Sequence, residues 1–201
     1  MPIIEELAGL LMAVAAGDRT VVRASLDAVP RLATERLARR EESFITACHA
    51  QVYEGDTALH VAAFAYDVDL AEDLVARGAD IRARNRRGAE PLHAAVSGGP
   101  GATHWNPLRQ QAIIEYLIEA GADANAAALG GVTPLHRAAR NRCSAAVETL
   151  LRLGANPHLA NDHGSTPAHL ARQTTGRGGV GSDAAKLEQR AIIQLLDNAT
   201  T

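Results

Sequence analysis

Histidine is the residue type in this sequence with the widest range of possible chemistry, because an imidazole can bind a metal ion or move a proton near neutral pH. The chain of 201 residues contains eight histidines. Four of them recur at one position of a repeated phrase: His60, His93, His136 and His169. Side chains at one position of successive repeats lie in a row along the stack, so they do not converge on one metal ion. In addition, no histidine and cysteine in this sequence have the spacing of zinc ligands. We therefore predict no metal, no cofactor and no catalytic role at these positions.

Cys48 and His49 place a thiol beside an imidazole, which are the two groups of a cysteine nucleophile. Adjacent residues on a helix point in different directions, and a small cysteine is commonly buried and unreactive. Cys143 is the only other cysteine, and two are too few for a disulfide framework. These residues predict that the protein is not an enzyme.

Residues 176–182, GRGGVGS, contain the two glycines of a phosphate-binding loop at the required spacing. That loop continues with lysine and serine or threonine and follows a strand, whereas Ser182 and Asp183 stand here and no strand is indicated before them. Asp183 would repel a phosphate, while either residue can cap a helix. We interpret the segment as an insertion between two helices.

Arginine is concentrated in one short segment, at Arg82, Arg84, Arg86 and Arg87. Guanidinium groups pair with carboxylates in a fixed geometry and are enriched at protein interfaces. Four arginines without interleaved aromatic residues are a poor nucleic-acid signature. The cluster predicts a partner protein with an acidic surface; ordinary solvated loop charge is the alternative.

Trp105, the only tryptophan, lies in a second glycine-containing segment, residues 98–107. An aromatic side chain on a loop that a rigid scaffold carries is a common interface hot spot. Alternatively, the ring folds back and covers exposed helix ends. The sequence leaves both interpretations open.

The composition narrows the class of protein and of partner. The formal net charge of −3 gives no reason to expect a nucleic acid or an anionic membrane as partner. Residues 7–16 are apolar, but Glu5 and Glu6 precede them where a signal peptide needs positive charge. One lysine against nineteen arginines suggests a GC-rich, bacterial genome. We therefore expect a bacterial protein that acts in the cytoplasm as a monomer.

An internal repeat defines the elements that must position these residues. The phrases GDTALH, GAEPLH, GVTPLH and GSTPAH begin at Gly55, Gly88, Gly131 and Gly164. The steps between them are 33, 43 and 33 residues, so the second copy carries ten extra residues. A second phrase, Gly-Ala-Asp or Gly-Ala-Asn, keeps the same register. A fixed period of this length indicates stacked supersecondary units.

The copies carry signals of two helices. Thr57, Thr133 and Thr166 are candidate N-caps, because a hydroxyl oxygen accepts a hydrogen bond from a backbone N–H of the first turn. Proline follows the last two of these threonines, where its missing N–H costs nothing. Glycine at the second phrase suits the left-handed end of a helix.

The full phrase, Gly-x-Thr-Pro-Leu-His-x-Ala-Ala followed by Leu-Leu-x-x-Gly-Ala-Asp, resembles the ankyrin repeat, whose period is also 33 residues. The resemblance covers about residues 53–198. It implies an all-α solenoid of stacked antiparallel helix pairs with β-turn fingers between them. It further implies that the repeated histidines make hydrogen bonds that hold the turn and the neighbouring repeat.

The segment before the repeats is predicted to be an N-terminal helical cap. Residues 7–16 and 18–26 read as two short helices, which together form a degenerate repeat. The charges at 36–42 suggest a connecting helix, which Phe44 and Ile45 would pack against the stack. The predicted organisation is one continuous solenoid, with the cap and connecting helix at 1–52 and repeats at 53–85, 86–128, 129–161 and 162–198.

The resemblance implies a protein-interaction module that presents a rigid concave surface to a partner protein. The predicted partner contacts are the following: Phe64, Arg84, Arg86, Arg87, Trp105, Arg140, Asn141, Asp162 and His163. Two alternatives remain. The inserted loops at 98–107 and 176–182 could form a small-ligand or catalytic site, lined by His104, Trp105 and Arg177, or the chain could assemble with itself.

Overall fold

A computed structural model describes residues 3–38, 43–45, 50–102, 105–173 and 182–200. The predictions made for Cys48, His49, His104, Arg177 and the glycines at 176–181 concern residues outside these ranges.

Ten α-helices, one 3₁₀ helix and one strand pair make up the regular structure of the described ranges. The helices are α1 Ile3–Ala16, α2 Arg19–Ala28, α3 Ala58–Phe64, α4 Val68–Ala76, α5 Pro91–Ala95, α6 Pro107–Glu119, α7 Pro134–Asn141, α8 Ser144–Arg152, α9 Pro167–Arg172 and α10 Asp183–Ala199. The chain forms two compact units, Met1–Ala95 and Val96–Thr201. The all-α fold class predicted from the repeat is confirmed.

The first unit begins with the predicted helix pair. Gly17 adopts a positive φ of 69° between α1 and α2, and the Asp18 carboxylate accepts a hydrogen bond from Val21 N at 3.1 Å. Leu10 and Leu26 are completely buried, and α1 packs against α2 and α3. The apolar face of this pair therefore covers the first repeat.

The prediction of a connecting helix at 36–42 is wrong for those of its residues that the structure describes, 36–38. A 3₁₀ turn, Pro30–Ala33, is followed by non-helical chain to residue 38 and by an antiparallel strand pair, β1 Ser43–Ile45 and β2 Ala50–Val52; residues 39–42 lie outside the described ranges. Neighbouring side chains of a strand point to opposite faces. Ile45 is accordingly 7% exposed and Phe44 56%, so only one of the two packs inward as predicted.

The first repeat is the helix pair α3 and α4, and α3 packs against α5 of the next repeat. Thr57 is the N-cap of α3, as predicted. The Asp67 carboxylate caps α4 by accepting a hydrogen bond from Leu70 N at 3.2 Å. Between the two helices Tyr66 has a φ of 58°, a left-handed conformation that usually belongs to glycine. Its buried side chain fills space that glycine would leave empty.

The second unit repeats this packing of helix pairs. Contacts join α6 to α8, α8 to α10, and α7 to α9, so first and second helices form two packed rows. Ile113, Leu117, Val147 and Leu150 are completely buried between them. Ser182 caps α10 by accepting a hydrogen bond from Ala185 N at 3.2 Å, as its sequence position suggested. Among the described helices, none has the length and apolar character that crossing a membrane requires.

Candidate interaction surface

The arginine turn, residues 82–87, projects between α4 and α5, and Asn85 determines its shape. The side-chain oxygen of Asn85 accepts hydrogen bonds from Arg87 N at 2.9 Å and from Ala89 N at 3.1 Å. Its side-chain nitrogen donates to the buried Asp56 carboxylate at 2.8 Å. Asparagine suits this role because its amide copies backbone hydrogen bonding. The turn therefore carries its arginines on a fixed backbone.

The arginine turn is also bonded to the preceding turn of the chain. Arg86 N donates to Glu54 O at 2.7 Å. Gly55, beside it, has a φ of 87°, and a Cβ there would lie 2.9 Å from the Cα of Asn85. Only glycine allows this approach, since 2.9 Å is closer than a Cβ can come without displacing backbone. Consecutive turns are thus in direct backbone contact.

Two arginines of this region pair with carboxylates of the same unit. Arg84 Nε lies 3.3 Å from the Glu90 carboxylate, which is 7% exposed. Arg36 donates to Arg84 O at 3.1 Å and lies 3.3 Å from the Asp80 carboxylate. Arg84, a predicted partner contact, therefore contributes to holding the turn.

Arg86 and Arg87 both lie over the ring of Tyr53. The guanidinium carbons lie 5.3 Å and 5.2 Å from the centre of the Tyr53 ring, within the range of a cation–π interaction. Tyr53 is not among the contacts predicted from the sequence. A signal was available, because Tyr53 lies one 33-residue period before Arg86, and equivalent positions of consecutive repeats are neighbours.

Phe64 lies at the end of α3 and is half-buried. It belongs to the same unit as the arginine turn. The other predicted contacts belong to the second unit.

In the second unit, Arg140 is exposed at the end of α7, whereas Asn141 has an internal role. The Asn141 amide donates to Val96 O at 3.1 Å. A Cβ on Gly99 would lie only 2.2 Å from Asn141 O, so the inserted loop runs directly against the end of α7. The Cys143 thiol adds a hydrogen bond to Gly98 O at 2.8 Å. The start of the insertion is therefore fixed on the third repeat.

Trp105 also bonds within the second unit. Its indole N–H donates to the side-chain oxygen of Gln110 at 3.0 Å, and Gln110 is completely buried. Gln110 in turn donates to Ser97 O at 3.4 Å. The half-buried indole therefore closes the inserted loop over α6, in agreement with the interpretation that it folds back.

Asp162 and His163 form the exposed tip of a turn built like the arginine turn. The side-chain oxygen of Asn161 accepts hydrogen bonds from His163 N and Ser165 N, both at 3.0 Å. Asp162 N donates to Gly130 O of the preceding turn at 3.0 Å. Both units therefore present exposed side chains on turns that are bonded to their neighbours.

Two of the repeated histidines, His60 and His136, hold turns in the way that the resemblance implied. His60 Nδ1 accepts a hydrogen bond from Thr57 N at 3.2 Å, so Nε2 carries the proton that it shares with Ala89 O at 3.1 Å. His136 has the same arrangement, with Nε2 2.9 Å from Ser165 O. Burial lowers the pKa of both rings, despite the Asp56 carboxylate 3.6 Å from His60. His169 is exposed and its ring does not have this setting.

The polar groups around His60 are arranged for structure. Thr57 Oγ1 lies 3.0 Å from His60 Nδ1, but the threonine is buried and caps α3, so substrate cannot reach its hydroxyl.

Burial raises the pKa of the Cys143 thiol to about 12, which keeps it protonated and unreactive at neutral pH. Within the described ranges, histidine, cysteine, aspartate and glutamate form no group of three that could hold a metal ion.

Comparison with known proteins agrees with the repeat geometry. The family model for ankyrin repeats matches the chain in three overlapping copies, at residues 10–128, 59–161 and 104–180. Ankyrin repeat and SOCS box protein 16 of Mus musculus is 40% identical over 89 residues, which are 43% of this chain and 19% of that protein. A putative ankyrin repeat protein of Rickettsia felis is 32% identical over 92 residues, 46% of this chain and 22% of that protein. The chain thus spans about a fifth of the length of these relatives.

Proposed function

We propose that this chain, which belongs to the ankyrin-repeat family, holds another protein against the turns that project between its helix pairs. Ankyrin repeats are generally protein–protein interaction modules. The observation that carries the proposal is the backbone hydrogen bond from Arg86 to Glu54, at 2.7 Å, because it fixes one turn on the next before a partner arrives. A preorganised surface loses little conformational entropy on binding, so modest contacts suffice for specificity.

The proposed contact residues fall into two sets, one in each unit. In the first unit they are Phe64, Arg86 and Arg87, with Arg84 holding the turn. The arginines support the further proposal that the partner presents an acidic surface, since the guanidinium fork matches a carboxylate.

In the second unit we propose Arg140, Asp162 and His163, which are exposed at helix or turn ends. Asn141 and Trp105 serve mainly to hold the inserted loop, because both side chains are hydrogen-bonded within the unit. Because the Trp105 side chain is bonded within its own unit, Trp105 does not support the alternative of a small-ligand site at the inserted loops.

We propose a non-catalytic role, with no cofactor and no nucleic-acid partner. The repeated histidines His60 and His136 hold backbone carbonyls, and their burial keeps them from substrate. The cytoplasmic location, the bacterial source, the monomeric state and the single continuous solenoid remain predictions from the sequence.

The proposal is tested by capturing proteins from a lysate of the native host. The wild-type chain is compared with Arg86→Glu/Arg87→Glu and with a charge-matched control, Arg109→Glu/Arg190→Glu, whose arginines are exposed on α6 and α10. Arg84 is left unchanged, because a glutamate there would face Glu90 and disturb folding.

We expect a protein that the wild type and the control capture and the turn variant loses. Equal capture by all three would place the contact elsewhere. Capture of nothing by any of them would contradict partner binding and favour self-assembly, which sedimentation at several concentrations would reveal.

A further inference from the structure

We propose that Arg142, in the turn between α7 and α8, binds a small oxyanion of the phosphate or sulfate type. The ion neutralises a guanidinium group that is buried in the second unit. It stabilises the fold of that unit, so the site does not depend on the proposed partner binding. We call it the Arg142 site.

The Arg142 guanidinium group is buried and incompletely bonded. Arg142 is 3% exposed, and its Nη1 atom has no hydrogen-bond partner among the described residues. An arginine cannot lose its proton in a protein, so the burial leaves a full positive charge. Buried charges are normally paired, because an unpaired one is strongly destabilising. A water molecule could bond Nη1 but could not balance its charge, whereas an anion does both.

The backbone of Arg142 is unfavourable as well. Its φ of 62° and ψ of 48° are left-handed, a conformation that glycine adopts at lower cost. Tyr66 holds the equivalent position of the first repeat, with a φ of 58°. Tyr66 is also buried, and it fills its space without a charge. Filling space therefore does not explain an arginine at position 142, and backbone strain at such a residue is typical of functional sites.

The start of α8 adds a second positive feature beside Arg142. Its N-cap is Cys143, whose side chain makes no capping hydrogen bond. The first N–H groups of a helix carry partial positive charge and attract anions. Ser144 N donates to the Glu188 carboxylate at 2.7 Å, so this helix start already takes one oxyanion. One carboxylate faces both the helix start and a full guanidinium charge, and the local charge remains positive.

The burial and the guanidinium geometry define the ligand. With so little of Arg142 exposed, a side chain of a partner protein cannot reach it, whereas an ion of a few atoms can enter by a local fluctuation of the turn. The N–H groups of a guanidinium lie in one plane and match two oxygens of the same ion. A single-atom ion such as chloride cannot form that pair of bonds.

The neighbours of Arg142 connect the site to the inserted loop. Asn141 donates to Val96 O at 3.1 Å, and the Cys143 thiol donates to Gly98 O at 2.8 Å. An ion that stabilises this turn therefore also stabilises the start of the loop. Trp105 follows in the same loop and is the only tryptophan of the chain, so its fluorescence reports on the second unit.

The test measures thermal unfolding of the full chain by Trp105 emission. Potassium phosphate and potassium chloride are compared in Tris buffer at equal ionic strength. A ligand that binds the folded state alone raises the midpoint temperature according to its concentration and dissociation constant. Isothermal titration calorimetry with phosphate gives that constant and the number of ions bound per chain.

Two substitutions remove the guanidinium group in different ways. Arg142→Met keeps most of the length of the side chain, and Arg142→Gly suits the left-handed backbone, so each is informative if the other is not folded. Phosphate stabilises many proteins by exclusion from their surface, and the variants measure that general effect. The control is Arg109→Gln, which removes an exposed arginine of α6 in the same unit.

We expect one phosphate ion per wild-type chain. At a hundred times the dissociation constant, phosphate should raise the midpoint by about 5 °C more in the wild type than in the methionine and glycine variants. Sulfate should act like phosphate, and the Arg109→Gln control should respond like the wild type. Arg142→Lys should bind phosphate about tenfold more weakly, because lysine keeps the charge but lacks the planar fork.

Three outcomes would overturn the Arg142 site. An equal midpoint shift in the wild type and in the folded Arg142 variants would show that phosphate acts elsewhere on the chain. No shift and no heat of binding in the wild type would leave Nη1 to a water molecule. An equal shift with chloride at the same ionic strength would exclude recognition of an oxyanion by the guanidinium fork.

Discussion

His60 Nε2 lies 3.1 Å from the carbonyl oxygen of Ala89, 29 residues further along the chain. The hydrogen bond ties the first helix of one repeat to the turn that opens the next. His136 and the carbonyl oxygen of Ser165 have the same relationship, at 2.9 Å and the same separation. Because each ring also accepts a backbone hydrogen bond through Nδ1, both rings must be neutral to keep the two bonds.

The free energy of unfolding should fall as the pH drops below about 6.5. Burial lowers the pKa of His60 and His136 in the folded chain, so the unfolded chain takes up protons first, near the ordinary value of 6.5. The stability that the neutral rings provide is complete above that pH. Each ring can remove at most about 1.4 kcal/mol per pH unit below it. Urea unfolding at pH 7.5, 6.5 and 5.5 measures the slope.

A substitution at one histidine tests which residue causes this dependence of stability on pH. His136→Gln should reduce it, because the buried ring whose pKa is lowered is then absent. An equal slope in the wild type and in this variant would show that His136 is not responsible.

Gly55→Ala should cost about 1 kcal/mol more stability than Gly154→Ala. Both glycines have a positive φ, 87° and 91°, so alanine is strained at either position. A Cβ at position 55 additionally meets the Asn85 Cα at 2.9 Å, whereas a Cβ at 154 has no atom within 4 Å. Thermal unfolding of the two variants compares them directly. Equal losses would show that the two turns do not approach as closely as described.

Gln110→Ala should expose Trp105 and lower stability by about 1–2 kcal/mol, because it removes the buried acceptor of the indole N–H. The tryptophan emission should shift to longer wavelength. Gln111→Ala, at the next position on α6, is the control and should change neither quantity. An unshifted emission maximum in the first variant would contradict the closed arrangement of the inserted loop.

Cys143 should resist alkylation in the folded protein. Its thiol is buried and donates to Gly98 O, and its pKa is raised to about 12, so almost no thiolate exists at pH 8. Cys48→Ser removes the other thiol, and iodoacetamide labelling is then followed by mass spectrometry with and without guanidinium chloride. Rapid labelling without denaturant would contradict the burial of Cys143.

The repeat made much of the fold predictable. Thr133 and Gly131 recur at a fixed sequence spacing from their equivalents in other repeats. At these positions threonine caps a helix and glycine adopts a positive φ. Tyr66 and Arg142 were not predictable in this way. Both adopt a positive φ, 58° and 62°, without being glycine, because tertiary packing of buried side chains overrides the local preference.

The candidate site was only partly predictable for a related reason. The arginine cluster can be recognised from the sequence, but the different roles of Arg84 and Arg87 depend on their neighbours in space. Glu90 occupies the position of threonine in the repeat phrase, and Tyr53 lies one period before the turn. The strand pair at 43–52 lies outside the repeat, so no period indicated it.

The measurement that tests most directly whether the turns hold a partner is the dissociation constant of the captured host protein for three chains. These are the wild type, Arg86→Glu/Arg87→Glu and Arg109→Glu/Arg190→Glu, all shown to be equally folded. We expect at least a tenfold loss of affinity in the turn variant, because two guanidinium groups become like charges to an acidic partner, and less than a twofold change in the control. Equal affinity in all three chains, or an equal loss in both variants, would contradict the account.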